Sequence, residues 1–305
     1  MASPLLSFAA WVARWLPMPV KRSLYRFRPL ASLLRGALNR ASPAGFTPVV
    51  VAAGGLQGLK LSLDMQTEKD YWLGTYEPDL QAAVAVLVKP DMLVYDVGAN
   101  IGYISLLLAR RVGAGGHVYA FEALPANLER LRLNLELSGL SGRVTVVPAA
   151  VVEQKRPARF LVGPSGGMGK AAGSAGRQDV IYSQSLEVDG LSLDEFVYAG
   201  GNPPPQVIKM DIEGGEVLAL PGMSHLLVEE RPLLLLELHG PEAARLTWNT
   251  LRAAGYRLCQ MSPGYPQIPS LEALDWKAYL VAISDSLQQE PSPSVQMNNK
   301  SRNQQ

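Results

Sequence analysis

Short apolar runs and helically spaced apolar positions alternate through the middle of this 305-residue chain. Residues 49–53 and 59–63 predict a strand pair, turned at Gly54-Gly55 or Gly58. Residues 68–76 and 77–88 carry helical spacing. A strand at 92–96, a helix to about 111, a strand at 117–121, a helix at 125–137 and a strand at 144–148 follow. Such βαβ alternation predicts a parallel sheet with right-handed crossovers. Residues 163–176 break the pattern with six glycines, Gly163, Gly166, Gly167, Gly169, Gly173 and Gly176. Strand-like segments resume at 180–182, 206–210 and 233–238. A helix at 241–254 leads to two last strands, 256–259 and 279–282, expected to pair antiparallel across a long loop. From about Ser286 onward Gln, Ser, Pro and Asn dominate without periodicity, so 286–305 is expected to be a disordered tail. No internal repeat is visible.

The chemistry begins where the strand at 92–96 meets its helix. Asp96-Val97-Gly98-Ala99-Asn100-Ile101-Gly102 is a glycine-bearing turn, and such a turn lets a ligand approach bare backbone. The first helical N–H groups then point toward that ligand. The next apolar strand ends in Glu122, at the spacing where a carboxylate can accept from both hydroxyls of a ribose. The pair is a nucleoside-binding device. The dinucleotide fingerprint G-x-G-x-x-G requires a second glycine where Asn100 stands, which argues against NAD or FAD. The form present, D-x-G-x-x-x-G, resembles motif I of class I S-adenosylmethionine-dependent methyltransferases. An acid at Asp96 suits a ligand with cationic groups and no phosphate.

Composition narrows the setting without changing this reading. With 48% hydrophobic and 18% charged residues the chain has an ordinary globular balance, and it is long enough to bury a real core. Net charge is +1, unevenly spread. Eight of the 28 Lys and Arg precede the first acid, Asp64, which leaves 20 against 27 acidic residues beyond, a balance of −7. The single Cys259 excludes an internal disulfide. No apolar stretch is long enough to span a bilayer.

Residues 1–45 form a basic arm with two amphipathic pieces, the first stopped by Pro17 and Pro19. Trp11, Trp15 and the arginines suit a membrane interface or a lipid-bearing substrate. The favoured expectation is a helical cap packed on the following domain, residues 46–285. Charges that follow the apolar run and do not precede it argue against a secretory signal. A cytoplasmic chain, with peripheral membrane contact left open, is the expected setting; the oligomeric state is left unassigned.

A second constellation lies at Val207-Ile208-Lys209-Met210-Asp211-Ile212-Glu213-Gly214-Gly215-Glu216. Asp96, Glu122, Asp211 and Glu237 all fall at strand carboxyl ends, the rim where open α/β sheets bind ligands. With Phe121-Glu122, Pro125, Asn127, Asn134-Leu135, Leu193-Asp194, Pro221-Gly222-Met223 and Glu237-Leu238-His239, this run resembles the FkbM-type methyltransferase family. The resemblance covers roughly residues 68–240 and departs from the family at the glycine-rich insert. It implies a Rossmann-like class I methyltransferase fold, a mostly parallel seven-stranded sheet with an antiparallel C-terminal strand. It also implies S-adenosylmethionine as cofactor. Asp96, Gly98, Asn100 and Gly102 would form the cofactor turn, Glu122 would hold the ribose, Ala149 and Ala150 would flank the adenine, and Asp211 would lie beside donor and acceptor. The expected reaction is O-methylation of a small-molecule, glycan or lipid-linked hydroxyl.

Asp211, Glu213 and His239 are the candidate bases for such a hydroxyl. For Glu213 and especially Glu216 the competing reading is a helix N-terminal pair meeting the dipole. His117 and His225 have no evident catalytic role. No histidine-rich spacing supports a metal site. Residues 163–167 match G-x-S-x-G, but glycines follow the serine where that nucleophile elbow needs a helix. A P-loop fails at Pro164 and Ala171. A mobile lid or substrate wall is the expected role of the insert. A catalytically inactive binding module, or methylation of nucleic acid or protein, are the alternatives; the acidic balance of the domain argues against nucleic acid.

Overall fold

A computed structural model describes residues 4–16, 20, 28–42, 44–163, 169–177, 179–182 and 184–285. The expected tail at 286–305 lies outside them. Two helices, α1 (Pro4–Trp15) and α2 (Arg28–Ala41), precede an antiparallel pair, β1 (Phe46–Val50) and β2 (Lys60–Asp64). This pair starts three residues earlier than the apolar run predicts, because Val51 to Ala53 are buried core rather than strand. Short helices α3 (Lys69–Leu73) and α4 (Pro78–Leu87) follow.

The main sheet takes β3 (Leu93–Val97), β4 (His117–Phe121), β5 (Val144–Val147), β10 (Val207–Met210), β11 (Leu233–His239), β12 (Tyr256–Gln260) and β13 (Lys277–Ser284). Its order is β12-β13-β11-β10-β3-β4-β5, with β13 antiparallel to both neighbours and β3, β4, β5, β10 and β11 parallel. This is the class I methyltransferase fold expected from the resemblance. Helices α5 (Tyr103–Val112), α6 (Pro125–Ser138) and α9 (Pro241–Ala253) make the crossovers, with the short α7 (Glu216–Ala219) and α8 (Ser224–Glu229) between β10 and β11. The order reverses between β3 and β10, so the crevice beyond their carboxyl ends is the ligand position of a doubly wound sheet.

A second, four-stranded sheet of order β6-β9-β7-β8 is the main departure from expectation. It comprises β6 (Ala150–Val151), β7 (Arg156–Val162), β8 (Gly169–Ala171) and β9 (Gln184–Leu191). The strand expected at 180–182 is not one; pairing begins at Gln184. Polar residues on the exposed face of this sheet hide its strands from a hydrophobicity reading.

Two buried clusters line the two faces of the main sheet. Side chains alternate across a strand, so Val94 and Val207 join one cluster and Tyr95, Val97, Ile208 and Met210 the other. The same alternation puts Asp96, Lys209, Asp211, Glu237 and His239 on the first face. One face of the sheet therefore ends in ionisable groups, while the opposite face stays apolar to the rim.

Candidate active site

The turn between β3 and α5 is fixed by backbone. Gly98 and Ala99 donate to the Phe121 carbonyl at 3.0 and 2.9 Å. Gly98 has φ +80°, and a Cβ there would lie 2.0 Å from the Asp211 carbonyl oxygen. The glycine thus admits the neighbouring motif's backbone, a different reason from ligand approach alone. Gly102, at φ +89°, would drive a Cβ to 2.4 Å from Leu131 Cδ1 of α6. Asn134 on the same helix accepts from Ser62 N–H and donates to the Ile101 carbonyl, each at 2.8 Å, tying β2 to the turn.

Beside the turn lies a cleft of about 290 Å³. Gly98, Asn100, Glu122, Ala149, Ala150, Asp211 and Glu213 all line it. Glu122 is the most thoroughly held of these. Its Oε1 accepts from Ala123 N–H (3.0 Å), Leu124 N–H (2.8 Å) and Asn127 Nδ2 (3.3 Å). Its Oε2 accepts from Asn100 N–H at 2.8 Å, with Asn100 at φ +51°. Burial pushes the Glu122 carboxyl up, and these four donors oppose it.

Three expected site residues do not reach the cleft wall. Gly102 packs behind it, against α6. Asp96 is fully buried: Oδ2 accepts from Ser105 Oγ at 2.6 Å, and Oδ1 lies 3.1 Å from Lys209 Nζ. Asp96 and Lys209 are direct register partners on adjacent strands, so the ion pair follows from the pairing of β3 with β10. Lys209 also donates to the Gly98 carbonyl at 2.9 Å. Burial works against its ammonium, but Asp96, Asp211 and Glu77 outweigh that and hold its pKa above the ordinary lysine value. Asp96 therefore supports the turn from beneath and stands off the cleft wall.

His239 is the third. It is buried behind Asp211, with Nε2 3.2 Å from Asp211 Oδ1 and 3.0 Å from Glu237 Oε1, and Nδ1 3.8 Å from Glu213 Oε2. Burial favours the neutral ring, but the Asp211 and Glu237 carboxylates overcome it and push the imidazole up to about 10. Off the cleft wall and held between two carboxylates, His239 is poorly placed for the expected base role. Asp211 in turn is held below the usual carboxylate range: burial opposes this, but His239 and Lys209 prevail. Glu237, also paired to Lys277, sits away from the cleft.

Asp211, Glu237 and His239 offer three potential metal-ligand atoms within 4.8 Å of one another. Lys277 and the imidazolium already supply positive charge to the same carboxylates. The sign of the His239 shift gives a stability prediction. A raised pKa stabilises fully below the ordinary value of 6.5, and the effect is lost as pH rises through about 10. The gap in urea midpoint between the parent and His239→Gln is expected to be widest near about pH 6 and to close toward about pH 10.

Glu213, at φ +56°, is the accessible acid of the cleft, with its side chain one-third exposed. Glu216 is buried at the start of α7, where Oε1 accepts from Ile212 N–H at 3.3 Å; burial pushes its carboxyl up to about 8. It braces the loop, in keeping with the helix-start reading.

Several wall residues were not singled out from sequence. Tyr71, Tyr76 and Tyr103 line the cleft and pack on one another, with ring centroids 4.4, 4.9 and 5.7 Å apart. Glu77 adopts φ +41° next to them, and burial, then Asp211 and Glu237, push its carboxyl up to about 7. The consecutive Tyr76-Glu77-Pro78 before a helix was the available signal. Phe160, Gly169 and Ala171 of β7 and β8 close the far side. The glycine-rich insert thus contributes a wall of the cleft, while residues 164–168 lie outside the described residues. Among the described residues, Gly169–Ala171 form a strand, where a nucleophile elbow would continue as a helix.

Comparison with known proteins places the chain in a family. The hexuronic acid methyltransferase AglP of Haloferax volcanii is 24% identical over 229 residues, 73% of this chain and 84% of that protein. A protein-L-isoaspartate O-methyltransferase of Aeropyrum pernix is 51% identical over 59 residues, only 19% of this chain and 23% of that one. A solved FkbM methyltransferase of Methylobacillus flagellatus is 19% identical with a TM-score of 0.41, covering 72% of this chain; the chain spans about half (54%) of its length. The family model described as the methyltransferase FkbM domain matches residues 96–258, over half of the sequence, from the buried Asp96 of the first turn to β12. The chain belongs to the FkbM methyltransferase family.

Proposed function

We propose that this chain is an S-adenosylmethionine-dependent O-methyltransferase, acting on a hydroxyl of a small-molecule, glycan or lipid-linked acceptor. The observation that carries this reading is the charge of the cleft. Glu122, Asp211 and Glu213 line it, and the one cationic side chain on its wall among the described residues, Lys209, is engaged by Asp96 and Gly98. A ligand bearing sulfonium and ammonium groups fits such a wall, whereas a di- or triphosphate would meet acids without a free cation. Oε2 of Glu122 accepts a single N–H, which leaves acceptor capacity for ribose hydroxyls. Ala149 and Ala150 suit a flat base, and the tyrosine faces suit a cation. The sugar-acid methyltransferase among the relatives supports a carbohydrate-like acceptor.

The bound donor supplies a methyl group on a good, neutral leaving group. What this chain adds is alignment, exclusion of water and disposal of one proton. Asp211, clamped by the His239 imidazolium, is a weak base and suits positioning. Glu213, which His239 reaches only at 3.8 Å and which is open to the cleft, is the residue we assign to accept the hydroxyl proton as the methyl moves to oxygen.

Incubation with methyl-labelled donor and a host extract, followed by identification of the labelled product, tests the reading. The expected label is on oxygen. Glu213→Gln is expected to lower kcat roughly a hundredfold while S-adenosylhomocysteine affinity by calorimetry stays unchanged. Label on nitrogen or carbon would end the O-methyl assignment. Donor binding without any methylated product would make the protein a binding module.

A further inference from the structure

We propose that the outward face of α1 seats this protein on an anionic lipid surface. At 100° per residue, Leu6, Ala9, Ala10 and Ala13 share one side of α1, and that side packs on the domain core. Phe8, Trp11 and Trp15 fall on the opposite side and are 61%, 59% and 73% exposed. The Phe8 and Trp11 rings stack with centroids 6.2 Å apart. A helix that only caps a domain needs one apolar face. This one has two, and the outer face is built from large aromatics that fold stability does not use.

An exposed apolar patch of this kind marks an interaction site. Charge selects its occupant. Residues 1–45 hold seven Lys or Arg and no acid. A second copy of the chain would set that charge against itself, while an anionic lipid headgroup layer complements it. Tryptophan rings prefer the interfacial layer of a bilayer, with an apolar body and one polar edge. No helix among the described residues is long and apolar enough to cross a membrane, so the helix would lie along the surface rather than span it. The inference stands apart from the acceptor proposed above.

Co-sedimentation of the purified full chain with phosphatidylcholine vesicles, with and without phosphatidylglycerol, tests it. Binding is expected to require phosphatidylglycerol and to weaken as salt is raised. The triple variant Phe8→Ser, Trp11→Ser, Trp15→Ser is expected to bind roughly tenfold more weakly or worse, with an unchanged melting curve because the inner face of α1 is untouched. Trp15→Ser alone, at the end of the helix, is expected to weaken binding severalfold and guards against misfolding of the triple variant. Equal binding by parent and variants would overturn the proposal, as would failure of the parent to bind phosphatidylglycerol vesicles. A dimer abolished by the same substitutions, without vesicle binding, would assign the face to a second copy instead.

Discussion

Lys209→Met is expected to destabilise the domain by about 3–5 kcal/mol, the usual cost of leaving one member of a buried ion pair without its partner. Asp96 is fully buried and Lys209 nearly so, and they face each other at 3.1 Å from adjacent central strands. Removing the ammonium strands the Asp96 carboxylate, which then keeps only the Ser105 hydroxyl. It also frees the Gly98 carbonyl that Lys209 holds. Against a typical total of about 5–15 kcal/mol, this is a large share of the stability. The double variant Asp96→Asn, Lys209→Met removes both charges and is expected to lie closer to the parent than Lys209→Met alone. Urea midpoints for the four proteins of this cycle check it. If the double variant is as unstable as the two single effects added together, the pair does not act as a pair, and the account of Asp96 as an internal support fails.

The same ion pair shows how far the sequence alone could go. Asp96 and Lys209 were both visible at the ends of apolar strands, but their contact depends on β10 lying directly beside β3 in one register. Register is a property of the assembled sheet, and two strands over a hundred residues apart carry no local signal for it. Glycine roles were read in part for the same reason. That Gly98 requires the left-handed region could be expected of a turn; that its missing Cβ makes room for the Asp211 carbonyl could not. His239 looked suited to proton transfer from its ordinary pKa alone. Its two carboxylate neighbours, one on its own strand and one beyond the next, reverse that. By contrast, the mostly parallel sheet, the crossovers and the acids at the rim followed from apolar periodicity and a motif resemblance, because buried parallel strands declare themselves as continuous apolar runs. The second sheet did not, since its strands alternate polar and half-buried residues next to a glycine-rich insert.

Glu122→Ala is expected to weaken binding of S-adenosylhomocysteine roughly tenfold to a hundredfold, the range of about 1.5–3 kcal/mol for hydrogen bonds to a charged group. Two separate losses contribute. The first is the acceptor proposed for the ribose hydroxyls. The second is internal: Asn100, Ala123 and Leu124 lose the carboxylate that receives their N–H groups. Asn100 sits in the left-handed region at the apex of the turn, so its release also loosens the segment on which the cofactor would rest. Glu122→Gln separates shape from charge. An amide fills the same volume, but its NH2 end would face a donor whichever way it is turned, Asn100 on one side or Ala123 and Leu124 on the other. The glutamine variant is therefore expected to bind nearly as poorly as the alanine variant. Calorimetry with S-adenosylhomocysteine on both variants, with melting curves to establish that they are folded, makes the comparison. Folded alanine and glutamine variants that bind within about threefold of the parent would remove Glu122 from the cofactor site; a glutamine variant that binds like the parent beside a defective alanine variant would show that the position requires size and not a carboxylate.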